Sequence, residues 1–260
     1  MLESYTPKKS LGQHWLEDET SLRAMLTAGE VTADDTIVEI GPGLGTLTTY
    51  LTYEAKHVVA VEYDEALAQD LPNRVPAKNL TVYNADCLTF DYTQLPTGYK
   101  VVANIPYYLT SNLLRVLSES ANPPIVVALL VQKEVAERVA AKPGDMSLLS
   151  VSVQLYYETS LDMVVRAELF TPPPKVDSQI LKLTRRADPL FKDLDEKKFF
   201  RIVKAGYSQR RKKLRSSLSA GLHIGKPEAS ELLEQAGLSP DNRPQELSLQ
   251  DWYSLYKVIQ

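Results

Sequence analysis

The chain has 260 residues, 44% of them hydrophobic, enough for one large packed domain and a smaller second one. A single cysteine, Cys87, excludes an internal disulfide, and three histidines offer no cluster at zinc-ligand spacing, so no structural metal is expected. The formal net charge of −4 argues by itself against a polyanionic partner, yet the stretch from Glu196 to Arg215 carries nine basic residues against one acid, which leaves the remainder of the chain at −12.

The N-terminal residues, from Met1 to Lys9, show neither the apolar run of a signal peptide nor the arginines of a transit peptide, so a cytosolic address is expected. From Asp35 to Arg186, short β-rich runs recur: Thr36–Ile40, His57–Glu62, Leu80–Asn84, Lys100–Ala103, Ile125–Gln132, a longer Ser150–Tyr157, and Gln179–Leu183. The aliphatic run beginning at Ile125 is far short of the roughly 20 residues of a membrane-spanning helix, and no membrane segment is expected. Helix-like patterns lie between the early strands, at Thr46–Leu51, Asp64–Leu71 and Thr110–Ser118. The expected fold is therefore α/β, a seven-stranded, mostly parallel sheet with late strands pairing antiparallel at one edge. After Arg186 the sequence turns charged and helix-rich, with candidate helices at Asp195–Gly206, Ser208–Leu218, Pro227–Gln235 and Ser248–Val258. The expected domains are residues 1–186 and an all-helical 187–260.

Four strand ends carry candidate chemistry. The first strand runs into Glu39-Ile-Gly-Pro-Gly-Leu-Gly45, where Gly41, Gly43 and Gly45 allow a sharp turn and close approach of a ligand, or form only a tight corner. The spacing departs from the dinucleotide fingerprint and lacks a phosphate-loop lysine, which favours S-adenosylmethionine over NAD or ATP. Glu62 ends the second strand, where an acid accepts bonds from ribose hydroxyls; a solvated acid is the plain alternative, and Asp64 competes as a helix cap. Asp86, after the third strand, suits an adenine amino group or a simple turn.

The fourth strand ends in Asn104-Ile-Pro-Tyr107. An adenine N6 is a poor nucleophile because its lone pair is delocalised into the ring. If the Asn104 side-chain oxygen and a main-chain carbonyl such as that of Ile105 accept its two N–H bonds, the nitrogen shifts toward tetrahedral and its lone pair becomes available to a methyl donor. Tyr107 offers a ring for an extruded base to stack on; a plain Asn-x-Pro-Tyr turn is the alternative. Phe170, in a proline-set loop, either closes the other face of the base or packs in the core. Lys204, Arg210, Arg211, Lys212 and Lys213, with Tyr207 among them, suit RNA phosphates and a base, or form a solvated face.

With these residues assembled, the chain resembles the ribosomal RNA adenine dimethyltransferases over nearly its whole length. The matching segments are Lys9-Ser-Leu-Gly-Gln-His-Trp-Leu16, the glycine turn, Val61-Glu62, Asn84-Ala-Asp86, Asn104-Ile-Pro-Tyr107, Val131-Gln-Lys-Glu-Val-Ala-Glu-Arg138, Phe170-Thr-Pro-Pro-Pro-Lys-Val-Asp-Ser178, Ser208-Gln-Arg-Arg-Lys212 and Arg243-Pro-Gln-Glu-Leu-Ser-Leu249. The resemblance implies a Rossmann-like class I methyltransferase domain, a helical RNA-binding domain, and S-adenosylmethionine as cofactor. It also implies dimethylation of two adjacent adenosines near the 3′ end of small-subunit ribosomal RNA, in a pre-ribosomal particle, by a monomer in the cytoplasm. By position, His14, Leu16, Gly41, Glu62, Asp86 and Asn104 would line the cofactor pocket, with Asn104, Tyr107 and Phe170 at the target base. Two departures stand out: His14-Trp15 replaces a frequent Asn-Phe, and the segment after Lys142-Pro-Gly-Asp145 is shorter than the Tyr-Gly-Arg loop of many relatives. The rival readings are the macrolide-resistance methyltransferases of the large subunit and an RNA-binding assembly or transcription factor without activity.

Overall fold

The structure is a computed structural model describing residues 6–8, 11–209 and 212–260. It divides into two compact units, Met1–Glu137 with Tyr157–Arg185, and Arg138–Tyr156 with Arg186–Gln260. The second unit thus takes in a segment far upstream of the expected helical region.

In the first unit, the strands β1 (Trp15–Leu16), β2 (Thr36–Ile40), β3 (His57–Glu62), β4 (Leu80–Asn84), β5 (Lys100–Asn104), β6 (Val126–Gln132), β7 (Tyr157–Val165), β8 (Phe170–Thr171) and β9 (Ser178–Arg185) alternate with helices in the early part. Those helices are α1 (Glu19–Ala28), α2 (Thr46–Glu54), α3 (Glu65–Arg74) and α4 (Thr110–Glu119). Seven strands form one sheet in the order β4-β3-β2-β5-β6-β9-β7, while β1 and β8 pair separately. From β4 to β6 all neighbours are parallel, and β9 runs antiparallel to both β6 and β7. Val, Ile, Leu and Ala dominate β2, β3 and β6 because these strands are buried on both faces. The helix α1 packs Leu22, Met25 and Leu26 into a core shared with Val102, Ala128, Leu130 and Ile180, each of these side chains larger than alanine contributing about 1.5–3 kcal/mol. The chain winds outward from β2 through β3 to β4, then returns to β5 on the other side of β2. That reversal opens a crevice at the C-terminal ends of β2 and β5.

One expected strand is a helix. Ser150-Val-Ser-Val alternates like a strand, but Ser147 and Ser150 cap each other reciprocally and start α6 (Leu148–Gln154), following α5 (Lys133–Val139). Val151 and Leu155, four apart, enter the core of the second unit. The seventh strand is instead β7, an edge strand rich in exposed and charged residues and so without an aliphatic run. The second unit continues with α7 (Glu196–Tyr207), α8 (Leu214–Leu222), α9 (Lys226–Gln235) and α10 (Leu249–Ile259), gathered around Phe199, Leu218, Leu233 and Trp252. Helix α8 begins at Leu214 rather than at Ser208: Leu214 N–H donates to the Asn242 carbonyl at 2.7 Å, outside any helical ladder, and Ser208 and Gln209 lie in a turn. Lys212 and Lys213 therefore sit ahead of a helix, not on one. No helix among the described residues is long and apolar enough to cross a membrane.

Candidate active site

At the crevice lies a cavity of about 410 Å³, lined by the segment from Leu11 to Leu16, the glycine turn, and the ends of β3, β4 and β5. The three glycines do different work. Gly41 (φ +66°) would carry a Cβ no closer than 3.8 Å to any neighbour, so its bare backbone faces open space that a ligand can use. Gly43 donates its N–H to Glu62 Oε2 at 3.1 Å. Gly45 does not line the cavity: a Cβ there would lie 2.8 Å from Leu71 Cδ1 and from Val75 Cγ2, so it permits close packing of the turn on α3 and is not a ligand contact.

Glu62 is only 6% exposed. Its second oxygen, Oε1, accepts from Asp64 N–H at 2.9 Å. Burial holds its carboxyl above the usual range, with the nearby Asp64 charge adding to this, while the backbone donors pull the other way. Two fixed donors leave a carboxylate with lone pairs to spare for two ribose hydroxyls. Asp86 accepts from Leu88 N–H through Oδ1 at 2.9 Å, the turn role, and lines the cavity as well. Beneath the turn, Glu39 is buried and its carboxyl is pushed up to about 8 by desolvation and the Glu62 charge, against a Thr48 contact that lowers it.

Asn104 Nδ2 donates to the His14 carbonyl at 3.2 Å. A carbonyl only accepts, so this bond decides which end of the amide is nitrogen. Among the described residues, Asn104 Oδ1 has no donor. His14 Nδ1 lies 2.6 Å from the Pro172 carbonyl, and its ring stacks on Tyr107 at 5.9 Å between centroids and 22° between planes. Tyr107 hydroxyl bonds Ser178 Oγ at 2.7 Å, which fixes the ring at the cavity wall. Leu16 lines the cavity while its carbonyl accepts from Thr46 Oγ1 at 2.9 Å.

Phe170 is not at the cavity. It pairs with Leu16 across β1 and β8, is 2% exposed, and belongs to the sheet core, so it offers no face to a base. Two aromatic walls were missed by the sequence reading: Tyr63 and Tyr108, 65% and 60% exposed, both line the cavity. Their adjacency to Glu62 and Tyr107 was the available signal. In the second unit, Lys204 and Lys212 are exposed, whereas Lys213 shares Asp241 with Arg215 at 2.9 and 3.2 Å. Arg210 and Arg211 lie outside the described residues.

The ribosomal RNA adenine dimethylase family model matches residues 5–260. The chain belongs to this family. It is 40% identical to the ribosomal RNA small subunit methyltransferase A of Dehalococcoides mccartyi (strain CBDB1) over 98% of this chain and 90% of that one. It is 39% identical to the protein of the same name from Lactococcus lactis, over 97% and 90%. Among solved structures it is similar to a dimethyladenosine transferase from Plasmodium falciparum, with a TM-score of 0.80 and 25% identity over 93% and 96% of the chains. It is also similar to the 23S rRNA methyltransferase ErmE, with a TM-score of 0.75 and 27% identity over 94% and 98%. Family membership makes the chain an S-adenosylmethionine-dependent methyltransferase. The residues fit that cofactor: an open glycine backbone, a buried carboxylate with free lone pairs, and a second acid, Asp86, on the same rim.

Proposed function

We propose that the chain methylates N6 of two adjacent adenosines near the 3′ end of small-subunit ribosomal RNA, acting as a cytosolic monomer on a pre-ribosomal particle. Relatives at 39–40% identity carry the small-subunit name, which favours this over the large-subunit reading that the likeness to ErmE would allow. Glu62 would hold the cofactor ribose and Asp86 its adenine amino group. Bound there, S-adenosylmethionine supplies an electrophilic methyl group.

The observation that carries the reading is the Asn104 amide at the cavity, anchored through Nδ2 and with no donor to Oδ1 among the described residues. Oδ1 and the Ile105 carbonyl would accept the two N6–H bonds, while Tyr107 supports the base. As the N–C bond forms and the C–S bond breaks, N6 becomes positively charged, both acceptor bonds strengthen, and the released proton passes to water. No strong base is needed. Asn104→Ala should slow single-turnover methyl transfer at saturating cofactor roughly 100-fold, the scale of removing one preorganised hydrogen-bonding group, with RNA affinity unchanged. A rate within twofold of wild type would overturn this role.

A further inference from the structure

Two sequence segments left unused by methyl transfer meet in the second unit. The end of the 131–138 run (Arg138) and the 243–249 segment (Gln245) line one cleft of about 300 Å³, together with Asp145, Ser147 and Tyr207. This cleft shares no residue with the cavity described above.

The walls are tied down by the fold itself. Gln245 carbonyl accepts from Gly144 N–H at 2.9 Å and from Met146 N–H at 3.1 Å, which holds the short loop against the 243–249 segment. Tyr207 hydroxyl donates to the Pro244 carbonyl at 3.0 Å, and Ser150 hydroxyl to the Arg138 carbonyl at 2.6 Å. In contrast, the Asp145 carboxylate and the Gln245 side-chain amide have no hydrogen-bond or ion partner among the described residues. A preorganised cleft with unused polar ends is built to take a ligand.

The lining chooses the ligand class. A lone carboxylate is too few ligands for a metal and repels a phosphate. It does match a planar group presenting two adjacent N–H donors, and of the four RNA bases only guanine does so, through N1–H and the N2 amino group. The Tyr207 ring, packed on Trp252 at 5.5 Å between centroids, lines the same cleft. Lys142 and Arg243, exposed beside the cleft-lining segments in sequence, suit the flanking phosphates.

We infer that this cleft binds an unpaired guanine of the RNA substrate, with Asp145 reading its N1–H and N2 amino edge. The inference rests on the ribosomal RNA reading above. It is tested by fluorescence anisotropy on the full chain with a decauridine carrying one central guanosine, compared with the same strand carrying inosine, which lacks the N2 amino group, or adenosine. Wild type should prefer guanosine over inosine by about five- to tenfold, within the range expected of one bidentate base contact. Asp145→Asn should abolish that preference without changing the slope of log affinity against log salt, because no phosphate contact is lost. Asp145 is exposed, so its melting temperature should match wild type. Equal binding of the strands by wild type, or a preference that survives in Asp145→Asn, would overturn the inference. Guanosine monophosphate competing as strongly as the whole strand would also overturn it, since the site would then serve a free nucleotide. Methylation of immature small subunits by wild type, measured in parallel, separates failure of this inference from failure of the RNA reading.

Discussion

Replacing Glu62 with alanine tests the cofactor site at a buried carboxylate. The carboxylate accepts from Gly43 N–H at 3.1 Å and Asp64 N–H at 2.9 Å, and both donors lose their partner in the variant. Each orphaned donor costs about 1–3 kcal/mol, so the free protein should melt lower. The two ribose hydroxyls lose a charged acceptor as well, at about 1.5–3 kcal/mol per bond, which corresponds to a cofactor affinity reduced by at least roughly 100-fold. The ionised form is the better acceptor, and burial raises the Glu62 pKa, so wild-type affinity should fall as the pH is lowered through that raised value, and the variant should lose this dependence. Titration calorimetry at two pH values, beside melting curves with and without cofactor, measures all three effects. A folded variant with unchanged affinity would refute the assignment of Glu62 to the ribose.

Glu39→Gln addresses the other buried acid. Its carboxyl is raised from 4.5 to about 8, so the native chain keeps a proton that the unfolded chain releases. Stability from this group is present below pH 4.5 and falls by about 1.4 kcal/mol per unit as pH rises toward 8. Urea unfolding at pH 6, 7 and 8 should show wild type losing stability relative to the variant, and parallel profiles would contradict the burial argument. Phe170→Ala should cost about 3–5 kcal/mol as a core truncation. A variant that melts like wild type but binds RNA poorly would return Phe170 to the base. Lys212→Gln should flatten the slope of log RNA affinity against log salt by roughly 0.7–0.9, with Lys213→Gln doing less because Lys213 is already paired with Asp241. Equal effects in salt-titrated binding would show that the Asp241 pair does not matter to RNA.

Sequence and structure agree best where one local pattern determines the outcome. Aliphatic runs buried on both faces identify β2, β3 and β6, and the acids and amide at the strand ends reach one cavity because parallel strands present their C-termini to the same edge. The reading fails where a tertiary partner decides. Val151 and Val153 alternate like a strand, but the Ser147 and Ser150 caps and the second unit's core make them helical. Gly45 belongs to the same turn as Gly41, yet α3 rather than a ligand needs its missing side chain. Phe170 is drawn into the core by pairing with Leu16, a contact 154 residues away in sequence that no local pattern records. The helix α1 passed unnoticed although Asp18 caps it, its side chain accepting from Ser21 N–H at 2.8 Å. The charge sum likewise hid Asp241, which neutralises part of the basic run from outside it.

The central claim is the reaction and its target, and one measurement addresses both. The purified chain is incubated with labelled S-adenosylmethionine and small ribosomal subunits lacking the modification, and the modified nucleotides are mapped by mass spectrometry. The account predicts two adjacent N6,N6-dimethyladenosines near the 3′ end of the small-subunit RNA, formed by wild type and nearly absent with Asn104→Ala. Label confined to large-subunit RNA when both subunits are offered, or no methyl transfer by a folded protein that binds the cofactor, would contradict it.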